Sequence, residues 1–164
     1  HPEDGRALEV LLAGDKRAKV LRLDGWAALK ALLPPKERRG LALIDPPFEE
    51  PGELIRLSEG LAAAAKRFSG GTYILWYPIK DPKPVARFHR AIAESGLKKL
   101  LKIELMLRAP RNPGLLNGTG LIVANPPFTL AADMTAVLPH IAEHLGQGPG
   151  ANWRVDSLAD AGLD

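Results

Sequence analysis

Apolar residues recur along the chain in two rhythms, and these predict alternating short helices and strands. Residues 3 to 13 carry Ala7, Leu8, Leu11 and Leu12 on one helical face, with Gly14 as the stop. Ala18 to Leu23 reads as a short strand, broken by Asp24-Gly25. Trp26, Leu29 and Leu33 space as a short helix ended by Pro34-Pro35. Gly40 to Ile44 is a continuous apolar run, the pattern of a strand covered on both faces. Pro51 opens the next helix, along which Leu54, Leu57, Leu61 and Phe68 recur at helical spacing. Thr72 to Trp76 predicts another buried strand, and Val85, Phe88 and Ile92 a helix that stops near Gly96.

The pattern then changes. Leu101, Ile103, Leu105 and Leu107 alternate with Lys102, Glu104 and Met106, as in a half-exposed strand. A Pro/Gly loop leads to a strand over Gly120 to Ala124, so the two form an antiparallel pair. Leu130, Met134, Val137, Leu138, Ile141 and Leu145 mark a last helix, with Pro139 a source of a kink. Residues 1–145 thus read as one folded unit, and the Gly-rich residues 146–164 as a loose C-terminal tail. The alternating order predicts an α/β fold with a mostly parallel sheet, right-handed crossovers and a terminal antiparallel strand pair. That terminal pair resembles the signature of the class I methyltransferase, Rossmann-like fold.

Composition narrows this picture only a little. The 164 residues are 46% hydrophobic and 25% charged, which suits one globular core. There is no cysteine, which excludes disulfides and thiolate metal sites and fits a cytoplasmic location. No uninterrupted apolar run has the length of a membrane span. The net charge of +3 leans mildly toward polyanionic partners.

The chemistry concentrates in Asp45-Pro46-Pro47-Phe48, where the run Leu43-Ile44 ends. In an open parallel sheet, ligands bind beyond the carboxyl ends of the strands. The exocyclic amine of adenine is a poor nucleophile because its lone pair is delocalised into the ring. The Asp45 carboxylate and the Pro46 carbonyl supply an acceptor for each amino hydrogen. Pro46 and Pro47 fix the backbone and remove competing N–H donors. Phe48 offers a ring on which a flipped or unpaired base stacks. The same residues also read simply as the end of a strand and the start of a turn. Asp24-Gly25 ends the preceding expected strand, on the same edge of the sheet. In class I methyltransferases, whose fold the terminal pair resembles, an acid there takes the amino group of the cofactor adenine, and Gly25 would let the ring approach the backbone. A plain Asp-Gly turn is the alternative.

Taken together, Pro34 to Glu49 (PPKERRGLALIDPPFE), Ile74 to Pro78 (ILWYP), Lys102 to Leu105 (KIEL) and Gly120 to Phe128 (GLIVANPPF) closely resemble the RlmJ family. Those enzymes are S-adenosylmethionine-dependent methyltransferases of adenine N6 in 23S ribosomal RNA. The likeness runs from His1-Pro2 to about Leu145. It implies that Asp45, Pro46, Pro47 and Phe48 form the catalytic motif, and that Asp24, Gly25 and Asp45 contact the cofactor S-adenosylmethionine. It also implies a sheet of order 3-2-1-4-5-7-6 whose strands 1 and 2 lie upstream of His1, so that the strand at 18–23 lacks its normal neighbour. The chain then corresponds to a C-terminal portion of the enzyme, inactive in isolation, with an open edge on the strand at 40–44. The implied partner is 23S rRNA. An adenine-N6 DNA methyltransferase, and a non-catalytic nucleic-acid-binding protein linked to use of external DNA, are the rival functions.

Other residues carry weaker signals. His1, His89, His140 and His144 form no convincing metal cluster. Lys80, Lys83, Arg87, Arg90, Lys98, Lys99 and Lys102 read either as phosphate contacts or as solvated faces. Trp76-Tyr77-Pro78 reads either as a wall of the base pocket or as core. The second motif, Asn125-Pro126-Pro127-Phe128, repeats the spelling of the first. Its strand returns antiparallel, so Asn125 is expected on the opposite edge, as a strand stop with Phe128 packed locally.

Overall fold

The computed structural model describes residues 2–158. His1 and residues 159–164 of the expected tail lie outside them. The elements are α1 (Pro2–Leu12), α2 (Gly25–Leu32), β1 (Leu41–Ile44), α3 (Glu53–Arg67), β2 (Thr72–Ile79), α4 (Pro82–Ala93), β3 (Leu100–Met106), β4 (Gly118–Ala124), α5 (Leu130–Leu145) and β5 (Asn152–Ser157).

The five strands form one sheet in the order β1-β2-β4-β3-β5. Its first four strands reproduce the 4-5-7-6 part of the expected order. The sheet is mixed rather than mostly parallel: only β1 and β2 pair in parallel, while β4 runs against both β2 and β3, and β5 against β3. The strands β1, β2 and β3 all point one way, but inserting β4 between β2 and β3 makes both of those pairings antiparallel.

Two further expectations are corrected. Ala18 to Leu23 forms no strand. A strand needs a ladder partner, and among the described residues none runs alongside it; the outer edge of β1 is likewise unpaired. The loose tail after Gly146 gives way to β5 over Asn152–Ser157, registered on β3 from Leu101↔Ser157 to Met106↔Asn152. Trp153 and Val155 of β5 reach the apolar layer beneath α5.

The core lies on both faces of the sheet. On one face, α3 and α4 bring Leu57, Leu61, Phe88 and Ile92 against Tyr73, Leu75 and Ile122. On the other, Leu138 of α5 packs with Leu101, Ile103, Leu105 and Val123. β1 departs from the expected burial on both faces. Ala42 and Ile44 are packed against the core, while Leu41 and Leu43 are 62% and 66% exposed. α1 also presents Val10 and Leu11 to solvent, and its ion pair between Glu9 and Arg22 ties it to the segment before α2.

β2 runs three residues beyond the expected Trp76 and includes Pro78. A proline is tolerated there because β1 has already ended at Ile44, opposite Leu75, so no ladder bond is needed on that side. In the middle of the sheet, Gly120 of β4 lies between Tyr77 and Glu104. A Cβ at Gly120 would fall 2.1 Å from the Tyr77 ring. The glycine thus lets the fully buried ring cross β4 and donate its hydroxyl proton to Glu104 Oε1 at 3.1 Å.

Candidate functional site

Asp45 to Phe48 leave the carboxyl end of β1 as an irregular segment leading to α3. Pro46 and Pro47 cannot extend a ladder, so the chain leaves the sheet where β1 stops. The Asp45 carboxylate is exposed and lines a cleft of about 600 Å³ together with Asp24, Gly25, Pro46 and Pro47. The structure therefore brings five of the six residues singled out in the sequence into one cleft. Phe48, the sixth, is half-buried and packs against Trp76 with the two rings inclined at 64° and centroids 5.5 Å apart. It lines a second cleft, of about 470 Å³, which opens between the N-terminal ends of α3 and α4.

Asp24 has a local job. Its Oδ1 accepts a hydrogen bond from the Ala27 amide at 2.9 Å and caps α2. Nothing in the chain lies within 4 Å of a Cβ built on Gly25, so internal packing does not require a glycine there. A flat ring laid on that backbone would require one. The space above Gly25 is open toward the Asp45 cleft.

α2 is anchored to α3 through Trp26. A Cβ at Gly60 would lie 2.1 Å from the Trp26 ring, and the Arg56 guanidinium sits over that ring at 5.6 Å. Arg56 also pairs with Glu53 at 2.5 Å. Trp26, Arg56 and Glu53 thereby link the Asp24 turn to the start of α3. Sequence reasoning missed Glu53 and Arg56. In the run Glu49-Glu50-Pro51-Gly52-Glu53, Glu53 looks like an ordinary acid in the first turn of a helix. Only its burial, at 4% exposure, separates it from its neighbours.

Strand direction sorts the remaining candidates. Lys80, Lys83 and Arg87 lie on the Asp45 edge, past the end of β2 and in the first half of α4. Lys98 and Lys99 precede β3 on the opposite edge. Lys102 is drawn inward, 3.0 Å from Asp156 and 3.6 Å from Glu104. His144 turns its Nδ1 to the His140 carbonyl at 2.7 Å. The Trp76-Tyr77-Pro78 run divides: Tyr77 is core, Trp76 touches Phe48, and Pro78 lines the second cleft.

Tyr77 belongs to a buried polar group. His89 Nε2 lies 2.9 Å from the Tyr77 hydroxyl. Since that hydroxyl gives its proton to Glu104, the histidine Nε2–H is the donor. Burial pushes the His89 pKa below its ordinary value, outweighing the upward pull of Glu104 at 3.6 Å, and Lys102 adds to the lowering. Burial, with Glu104 second, raises the Tyr77 hydroxyl far above the ordinary range.

Asn125 is on the edge away from Asp45. Asp45 follows Ile44↔Leu75 and Asn125 follows Ala124↔Tyr73, which puts them level with residues 76 and 72 of β2. Four residue steps of about 3.3 Å and two strand spacings of about 4.8 Å separate them by roughly 16 Å. The Asn125 side chain donates to the Ser69 and Gly71 carbonyls at 2.9 and 2.7 Å, and its φ of 52° is left-handed. It is a corner pin between β4 and the turn before β2. Phe128, expected to pack locally, is instead 98% exposed. Phe128 and Thr129 form the turn into α5, closed by the Leu130 amide on the Pro127 carbonyl at 3.1 Å, and no described residue covers the ring.

Comparison with known proteins follows the same lines. The chain is 36% identical over 156 residues to the Ribosomal RNA large subunit methyltransferase J of Haemophilus influenzae, covering 95% of this chain and 56% of that protein. It is 39% identical over 145 residues to the Escherichia coli K12 protein of the same name, covering 88% of this chain and 52% of that one. The chain thus spans about half the length of the curated relatives it matches. A crystal structure of a Legionella pneumophila protein superposes with a TM-score of 0.86 at 33% identity, covering 96% of this chain and 58% of that one. The sequence model of the family described as Ribosomal RNA large subunit methyltransferase D, RlmJ, matches residues 1–158, and the chain belongs to that family.

Proposed function

We propose that this chain is part of a class I, S-adenosylmethionine-dependent methyltransferase that modifies adenine N6 in 23S rRNA. The observation that carries the reading is the shared cleft: Asp45, Pro46 and Pro47 at the carboxyl end of a parallel strand, facing Asp24-Gly25. The family name and the two curated relatives support the rRNA substrate. A cytoplasmic setting follows from that substrate. No helix among the described residues is long and apolar enough to cross a membrane.

Each residue has a chemical task. Asp24 and Gly25 seat the adenine ring of the cofactor, with the second carboxylate oxygen of Asp24 free to accept from its amino group. When bound, S-adenosylmethionine supplies an electrophilic methyl on a sulfonium. The Asp45 carboxylate and the Pro46 carbonyl hold the two amino hydrogens of the target base and favour a pyramidal nitrogen. Their alignment needs no reorganisation during transfer, which makes such acceptors effective. Pro47 keeps the Pro46 carbonyl aimed, and Phe48, next in the chain and braced by Trp76, offers its ring to the base where the Asp45 cleft meets the second one, the two sharing Glu53. Asp45 also borders the cofactor, where the two ligands meet.

The deciding assay uses the full-length protein with radiolabelled S-adenosylmethionine. Transcribed 23S rRNA is expected to take up label at adenine N6, and duplex DNA is not. Labelling of duplex DNA alone would replace this reading with that of a DNA methyltransferase.

A further inference from the structure

The second cleft is not used by the chemistry above, apart from Phe48 in its wall. It opens between the N-terminal ends of α3 and α4, on the same edge as Asp45. Its volume of about 470 Å³ lies in the range of roughly 300–1,000 Å³ typical of small-ligand sites. Leu54, Ile55, Val85 and Phe88 supply apolar walls, and the exposed Lys80 and Arg87 add positive charge at its rim.

Glu53 stands in the wall common to this cleft and the Asp45 cleft. Its side chain is 4% exposed. Oε1 is held by Arg56, whereas Oε2 is buried with no hydrogen-bond partner. An acceptor buried without a donor costs about 1–3 kcal/mol, a cost that a donor on a ligand seated in the adjoining cleft would relieve. A carboxylate oxygen asks for an N–H. A base with an exocyclic amine offers one on its edge, whereas the single N3–H of uracil is flanked by two carbonyl oxygens that a carboxylate repels. The cations at the rim suit the phosphate attached to that base.

We infer that the cleft between α3 and α4 receives the nucleotide next to the target adenine, that Glu53 Oε2 accepts a hydrogen bond from its exocyclic amine, and that Lys80 and Arg87 contact the adjoining phosphate. This rests on the reading of the protein as an adenine methyltransferase acting on RNA, and it deepens that reading by assigning a flanking-base preference. Glu53 is then a specificity-determining residue, outside the reacting centre.

The test is equilibrium binding, so it does not depend on turnover. Short single-stranded RNAs carrying one adenine in a uridine background are titrated into the full-length protein. Adenine, cytosine or guanine replaces uracil on the 5′ or the 3′ side. At one of the two sides, the amine-bearing bases are expected to bind about tenfold tighter than uracil, the scale of one charge-assisted hydrogen bond. Glu53→Met should abolish that difference. Arg56→Met breaks the same ion pair from the other side and should keep it, which separates recognition from a structural role. Lys80→Ala and Arg87→Ala should weaken all the RNAs alike and flatten the salt dependence. The inference is overturned if neither flank discriminates, if Glu53→Met retains the preference, or if Arg56→Met loses it too. Base-selective binding without methyl transfer would leave the inference standing and refute the catalytic reading instead.

Discussion

Replacing Asn125 by alanine should destabilise the fold by about 2–3 kcal/mol while leaving the methyl-transfer chemistry nearly intact. The magnitude is built from three contacts. The hydrogen bond from Nδ2 to the Ser69 carbonyl is exposed, so water takes its place and the loss is about 0.5 kcal/mol. The bond to the Gly71 carbonyl is partly buried, and its loss costs about 1 kcal/mol or slightly more. The backbone at φ 52° suits asparagine, and a Cβ without a local hydrogen bond adds roughly 1 kcal/mol there. Urea unfolding with an m-value of about 2 kcal/mol/M, the middle of the usual range, would register the sum as a midpoint about 1–1.5 M lower at unchanged slope. Asn125→Gly isolates the backbone part and should recover some of the loss. Asn125→Asp keeps the shape but aims a carboxylate at two carbonyls, so it should be no better than alanine. An Asn125→Ala midpoint equal to wild type would refute the account of Asn125 as a corner pin. A folded variant with no transferase activity would move catalysis to the second motif.

Three other perturbations probe separate parts of the structure. Gly120→Ala should cost about 1–3 kcal/mol in chemical unfolding, because the new methyl meets a fully buried tyrosine ring with nowhere to move; an unchanged midpoint would contradict the packing. His89 has its folded pKa below the ordinary 6.5, so its contribution is complete above that pH and is lost as pH falls below it, when the unfolded chain takes up a proton that the folded one resists. Stability measured from pH 7.5 down to about pH 5 should therefore drop more steeply in wild type than in His89→Gln, and equal slopes would rule the assignment out. In the full-length protein, Asp24→Ala should raise the cofactor Kd more than it slows transfer at saturation. Asp24→Asn retains the helix cap and tests the contact alone; if both variants bind cofactor as wild type does, Asp24 is only a cap.

The sequence was most legible where a helix has one apolar face. Leu57 and Leu61, or Phe88 and Ile92, recur at helical spacing and do lie against the sheet. It was legible again at Asp45 and Asn125, because strand direction follows from connection length and sends their carboxyl ends to opposite edges. It failed at Ala18 to Leu23, whose β-branched and apolar residues favour a strand only if a partner supplies the ladder. It failed at β5 for the opposite reason. Trp153 and Val155 alternate correctly, but the run is short, polar between them and preceded by Gly148-Pro149-Gly150, so the open edge of β3 decides its conformation. Phe128 shows that repeated spelling does not carry repeated packing: Phe48 leans on Trp76, and Phe128 meets solvent. Glu53 was out of reach as a recognition residue, since a buried oxygen without a partner is a property of the assembled clefts.

The proposed chemistry depends on Asp45 holding the amine being methylated. Its most direct test is the single-turnover rate of methyl transfer to transcribed 23S rRNA by full-length Asp45→Ala, at saturating cofactor and with the cofactor Kd measured alongside. The rate should be lower by at least about a hundredfold, on the scale of losing one preorganised polar partner at a reacting centre. A rate within a few-fold of wild type would contradict it.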